Sequence, residues 1–91
     1  MNSENYGVFG SMLMHYLSTT HEIKTQAELC RRIGYSEPFI SEILRNRKPF
    51  KPDLLKKIFV EFEIENSMRN TLLVLALSQN GWPTSYLYLQ D

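Results

Sequence analysis

Four cations fall within seven residues of this 91-residue chain: Arg45, Arg47, Lys48 and Lys51, with Asn46 among them. Such a cluster suits a short loop that meets a row of phosphates, because guanidinium and ammonium groups neutralise a polyanion without reading anything else about it. Just upstream, SEPFISEIL carries two carboxylates, Glu37 and Glu42, and a proline, Pro38. A carboxylate accepts hydrogen bonds and repels phosphate, so the two halves of residues 36–51 would treat an anionic partner in opposite ways. His15, His21 and Cys30 are the soft metal ligands, and they lack the paired spacing of a zinc site. With no glycine-rich phosphate loop and no run of clustered carboxylates, the expectation is a protein that is not an enzyme and needs no cofactor or metal.

The formal net charge is zero, yet the charges are segregated. Residues 24–51 hold seven Lys and Arg against Glu28, Glu37 and Glu42, and the segments on either side carry a slight acidic excess. A basic middle fits a nucleic-acid surface, and it also fits an ordinary solvated face. The length predicts one domain, and a chain this short buries only roughly 60–65% of its unfolded surface, so self-association would help it. A single cysteine cannot close an internal disulfide, which fits a reducing cytoplasm. The start, MNSENYGVFG, lacks the basic region of a signal peptide, and the longest apolar run, Leu72 to Leu77, falls well short of the ~20 residues of a membrane span. These features predict a soluble cytoplasmic protein with no membrane partner.

The elements that must position the charged segment read as helices throughout. Tyr6, Phe9, Leu13 and Leu17, with Met12 and Tyr16 beside them, follow amphipathic spacing, weakened early by Gly7 and Gly10. The polar run STTHEIK reads as a break. Thr25-Gln26-Ala27-Glu28 is a capping box that opens a second helix, and Gly34 supplies the left-handed turn that stops it. Ser36 is expected to cap a third helix, whose first turn tolerates Pro38 and whose apolar stripe is Phe39, Ile40, Ile43 and Leu44. Asn46 tolerates positive φ and ends that helix. Pro52 and Asp53 open a fourth helix with Leu54, Leu55, Ile58, Phe59 and Phe62 inward. A fifth spans about residues 67–79, apolar on more than one face, and the remaining WPTSYLYLQD reads as an extended arm.

The run TQAELCRRIGYSEPFISEILRNRKPFKPDLLKKI resembles the lambda-repressor/Cro-type helix-turn-helix family. The slots that carry the resemblance are Gln26 at the first helix, Cys30 four later, Gly34 in the turn, and Ile40 and Ile43 six and nine beyond it. Ser41 and the Arg47-Lys48-Pro49 sequence after the third helix also match, and the likeness covers about residues 9–64. Each slot has its own physical reason: a small Cys30 lets two helices cross closely, Gly34 turns the chain in few atoms, and the isoleucines bury one face while leaving the other free. The implied fold is all-α, a five-helix lambda-repressor-like domain with its helix-turn-helix at about 25–45. Residues 1–80 would form the helix-turn-helix DNA-binding domain, and residues 81–91 an aromatic arm.

By that family's docking geometry the third helix would enter the major groove of double-stranded DNA, with Ser36, Glu37, Pro38, Ser41 and Glu42 facing base edges. Gln26 would reach a phosphate or brace a side chain of the recognition helix, while Arg45, Asn46, Arg47, Lys48 and Lys51 would contact the backbone. The family usually carries an uncharged polar residue at the Glu37 slot, so Glu37 is a departure. Three uses of the glutamates stay open: accepting from cytosine N4, stabilising the helix dipole and pairing with Arg45 or Asn46, or facing a protein. The fifth helix and the arm, with Leu73, Leu77, Trp82, Tyr86 and Tyr88, would complete the core, form a homodimer interface or dock a partner protein. The resemblance implies a sequence-specific transcriptional regulator, a repressor acting as a dimer on palindromic half-sites ~34 Å apart, of the kind found in phage, mobile-element and antitoxin systems. The alternative is a protein-interaction module, an antirepressor or regulator-inhibitor that uses the same fold.

Overall fold

A computed structural model describes residues 6–88 of the chain, with side chains through Tyr86. The architecture is all-α: five α-helices and a terminal 3-10 helix, with no strand among the described residues. The chain separates into two compact units, one ending at Lys48 and the other starting at Pro49. No helix among the described residues is long and apolar enough to cross a membrane.

The first unit holds α1 (Val8–Thr20), α2 (Gln26–Ile33) and α3 (Glu37–Leu44), and α3 packs against both of the others. Its buried side chains include Phe9, Leu13, Leu17, Leu29, Cys30, Ile33, Ile40, Ile43 and Leu44, joined by Met14 and Ile23. Met12, expected on the inward side of α1, is half-buried; the buried methionine is Met14. The expected break at STTHEIK begins later than its polarity suggests. The hydroxyls of Ser18, Thr19 and Thr20 turn back to donate to the carbonyls of His15 and Tyr16 at 2.6–3.1 Å, so these residues extend α1 by satisfying themselves locally. Gly10 does not merely weaken the helix. A Cβ there would lie 2.2 Å from the Leu44 carbonyl oxygen, so the missing side chain is what lets the end of α3 sit against α1. The Gly7 amide donates to that same oxygen at 2.8 Å.

The capping box of α2 is present as predicted. The Thr25 hydroxyl accepts from the Glu28 amide at 3.2 Å, and the Glu28 carboxylate accepts from the amides of Lys24 and Thr25. These two backbone donors hold the Glu28 carboxyl below its ordinary pKa. Gly34 closes α2 at φ 77, where an L side chain would be strained, and its amide and that of Tyr35 both donate to the Cys30 carbonyl. Ser36 occupies the N-cap of α3, but its side chain makes no capping bond; Glu37 and Pro38 in the first turn contribute the favourable charge and the preset φ instead. Phe39, expected in the apolar stripe, is only half-buried, its ring stacked on Tyr35 at 5.7 Å.

The second unit holds α4 (Pro52–Glu61), α5 (Asn66–Asn80) and the 3-10 helix Thr84–Tyr88. Leu54, Leu55, Ile58, Phe59, Phe62, Ile64, Leu72, Leu73 and Ala76 are buried. Arg69 ties the turn between the two helices to α5, with its Nε donating to the Ile64 carbonyl at 2.6 Å and its guanidinium over the Phe59 ring. Among the described residues, through Tyr88, the C-terminal segment is a 3-10 helix rather than an extended arm. Trp82 Nε1 donates to the Phe50 carbonyl at 3.2 Å, the two rings meet edge to face, and Tyr86 follows against Trp82. The Asn80 side chain accepts from the Phe50 amide at 2.9 Å, so both backbone groups of Phe50 are held by the end of α5 and the residue that follows its cap. An indole that must pair its N–H on burial is what folds the segment back.

Candidate nucleic-acid interface

The α2–α3 pair is joined by three residues, Gly34, Tyr35 and Ser36, and α3 shows two contrasting faces. Ile40, Ile43 and Leu44 are 1–2% exposed and fix the helix inward. Ser36, Glu37 and Pro38 are exposed, and Ser41 and Glu42 are half-exposed. Apolar residues three and four apart secure one side, so the polar residues between them are displayed on the other.

The cations next to this face have different surroundings. Arg45 is half-buried: one nitrogen donates to Gln26 Oε1 at 2.8 Å and to Ser41 Oγ at 2.6 Å, and its guanidinium lies 5.0 Å from the centre of the Tyr6 ring. Of the two roles expected for Gln26, bracing is the one with a contact in the structure, and what it braces is Arg45. Ser41 is likewise engaged with Arg45. Burial pushes the Tyr6 hydroxyl pKa up, with the Arg45 charge pulling it partly back. Tyr6 precedes α1, and the expectation put it on that helix's apolar face; no periodic signal marks a ring that lies beneath a guanidinium from α3.

The next three residues continue the loop. Asn46 takes φ 59, the left-handed conformation expected of it, and its amide donates to the Ile43 carbonyl. Arg47 is exposed and pairs with Glu42 at 3.6 Å, whereas Arg45 or Asn46 was the expected partner of that glutamate. Lys48 is exposed, its ammonium 5.4 Å above the Phe39 ring. Lys51 is exposed at the N-cap of α4 in the second unit.

A groove of about 660 Å³ runs along the first unit, lined by Tyr6, Lys24, Thr25, Gln26, Glu37 and Arg45, with Ser11, His15 and Ser18 of α1. Its walls supply hydroxyls, an amide, the cations of Lys24 and Arg45 and the carboxylate of Glu37. Sequence reasoning found Gln26, Glu37 and Arg45 but not Lys24, Ser11, His15 or Ser18, because an amphipathic pattern reports which residues of α1 face inward and says nothing of what lies beside its polar face. Cys30 of α2 is buried. Burial, and secondarily the negative charge of Glu37, raise its thiol pKa, so the atom is a packing group and a poor nucleophile.

The residues expected to form a dimer or partner interface are divided. Leu73 is 0% exposed and belongs to the core, a correction that follows from its spacing with Leu72 and Ala76 on the inward side of α5. Leu77 is half-buried, and Trp82 and Tyr86 are half-buried against Phe50 and each other. The Tyr88 side chain lies outside the described residues. Val74 is 53% exposed and was not singled out, although it lies one helical turn before Leu77. Set against protein-family models, curated proteins and solved structures, the chain matches none.

Proposed function

We propose that the chain binds double-stranded DNA as a helix-turn-helix transcriptional regulator of the lambda-repressor/Cro type, with α3 in the major groove. The observation that carries this reading is α3 itself. Its inner face is locked by Ile40, Ile43 and Leu44, and Glu37, Pro38, Ser41 and Glu42 lie on the side that a groove would meet. The exposed cations Arg47 and Lys48 follow directly, as a helix entering a groove requires at its rim. Arg45, expected at phosphate, is tied through one nitrogen to Gln26 and Ser41, and we assign it the role of a strut between α2 and α3. Phosphate contact in the first unit then falls to Arg47 and Lys48, with Lys24 and the hydroxyl-lined groove alongside α2, and separately to Lys51 in the second unit. Regulation is by occupancy, a dimer on paired half-sites blocking an operator, and the α5 stripe of Val74 and Leu77 is the apolar surface offered for pairing.

The test is a fluorescence-anisotropy titration against random-sequence duplex DNA at several salt concentrations, with light scattering for mass. Each of Arg47, Lys48 and Lys51 that neutralises a phosphate should steepen the fall of log K with log salt by about 0.9 per protomer. No binding at low salt would end the DNA reading. The alternative, a protein-interaction module, draws on two exposed valines of the second unit, Val60 at 72% and Val74 at 53%, and it would lead in that event.

A further inference from the structure

Glu42 and Arg47 face each other across the end of α3, with Arg47 Nη1 3.6 Å from Glu42 Oε2, and the Arg47 and Glu42 side chains are 59% and 44% exposed. The Arg47 amide also donates to the Glu42 carbonyl at 2.9 Å, so the loop returns the guanidinium to the carboxylate through its backbone geometry. An exposed pair of this sort is held together only weakly, by a factor of roughly 1.5 to 5. It nevertheless has two consequences for a surface that meets DNA. One loop cation is already neutralised, and the carboxylate that neutralises it stands on the half-exposed side of the helix.

Resting on the DNA-binding reading above, we propose that Glu42 is a specificity gate: it holds Arg47 as an internal substitute for phosphate, and specific binding exchanges both partners at once. Arg47 passes to a DNA phosphate, and Glu42 to the exocyclic amine of a cytosine, the one base edge in the major groove that offers a donor with no acceptor on the same base. On any other base pair, releasing Arg47 leaves Glu42 unpaired close to the phosphates, and the gain of one contact is offset by that repulsion. The weakness of the pair is what suits it to the task. A buried, tightly held pair would not exchange, and a distant one would not discriminate. The two glutamates, which look misplaced on a helix meant for DNA, thus divide the work: Glu37 lies in the first turn of α3, where its charge favours the helix, and Glu42 gates Arg47.

The experiment compares wild type, Glu42→Gln, Arg47→Gln and the double variant on random duplex and on a duplex selected by the wild-type protein, each across a salt series. Glu42→Gln should tighten binding to random duplex about two- to fivefold, steepen the salt slope by up to about 0.9, and move the preferred base from cytosine towards adenine, whose edge a glutamine amide matches. With Arg47 already replaced, the same Glu42→Gln change should tighten binding distinctly less, because no internal pair remains to be broken. The proposal is overturned if Glu42→Gln leaves random-duplex affinity and base preference where they were, or if its effect is as large without Arg47. Wild-type protein that binds no duplex at low salt overturns the DNA reading and this proposal together; wild-type binding with an unresponsive Glu42→Gln variant overturns this proposal alone. Circular dichroism of the four proteins checks that each exposed substitution leaves the helices intact.

Discussion

Replacing Gly10 with alanine sets two effects of opposite sign against each other. In a helix, alanine is favoured over glycine by up to about 1 kcal/mol, because glycine loses more backbone freedom on folding. By that effect alone, Gly10→Ala should stabilise the protein. The structure opposes it. The added Cβ would sit 2.2 Å from the Leu44 oxygen and 2.9 Å from the Leu44 carbonyl carbon and Cα. An ordinary non-bonded separation is roughly 3.5 Å, so α1 and the end of α3 must part by about 1 Å. The obstructing atoms are backbone, which has no rotamer to change, and overpacking of this kind costs about 1–3 kcal/mol. Parting the helices also lengthens the 2.8 Å bond from the Gly7 amide to the same oxygen, worth about 0.5–1.5 kcal/mol. After the propensity gain is subtracted, the variant should be less stable by about 1–3 kcal/mol.

Equilibrium urea unfolding followed by far-ultraviolet circular dichroism measures the difference, provided that the slope with denaturant is unchanged. Ser11→Ala, at the exposed neighbouring position, supplies a control that carries helix propensity without the steric conflict. A Gly10→Ala midpoint equal to or above that of wild type would refute the close approach of α1 and α3.

The other predictions concern the site and its supports. Lys48→Ala should reduce the salt dependence of DNA binding by about 0.9 in slope, whereas Arg45→Ala should leave the slope nearly unchanged and lower thermal stability, since Arg45 is spent on Gln26, Ser41 and Tyr6; equal slope changes for the two would restore Arg45 as a phosphate contact. Cys30 should react with a thiol reagent far more slowly in the native protein than in denaturant, and a native rate matching the denatured one would show that the α2–α3 packing is open. Because the Glu28 carboxyl has a lowered pKa in the folded protein, its contribution is present above the ordinary glutamate value of about 4.3 and fades as pH falls through the lower folded value. The melting-temperature advantage of wild type over Glu28→Gln should therefore shrink between pH 7 and pH 3, and a constant difference would remove the carboxylate from the capping box.

Much of the fold is legible in the sequence because its signals are local. The Thr25–Glu28 capping box, the Gly34 turn and the left-handed Asn46 all depend on backbone chemistry within a few residues. What is illegible depends on distant neighbours or on competition between local choices. Gly10 reads as a flaw in a helix until Leu44, 34 residues later, is seen against it. Ser18–Thr20 read as a break because hydroxyls so often compete with helices, yet here they bond within one. Glu63 takes φ 47 in the turn between α4 and α5, with no glycine or asparagine to announce it. Trp82 reads as part of an extended tail because nothing nearby shows that the Phe50 carbonyl will accept its indole proton.

The same distinction governs the cations. Counted along the sequence, Arg45, Arg47, Lys48 and Lys51 are four equal claims on phosphate, yet their surroundings make them unequal. Arg45 is drawn in by an amide, a hydroxyl and a ring, so its charge serves the angle between α2 and α3 before it can serve a ligand. Arg47 carries its own carboxylate, and Lys48 rests over an aromatic face that restrains the ammonium without neutralising it. A planar guanidinium with several donors suits the strut and the exchangeable pair, and a compact ammonium suits the permanent contact. Exchanging the residue types tests that assignment: Arg45→Lys should lose the shared bond to Gln26 and Ser41 and destabilise the first unit, whereas Lys48→Arg should preserve both stability and the salt slope. If both substitutions proved neutral, net charge alone would account for the loop.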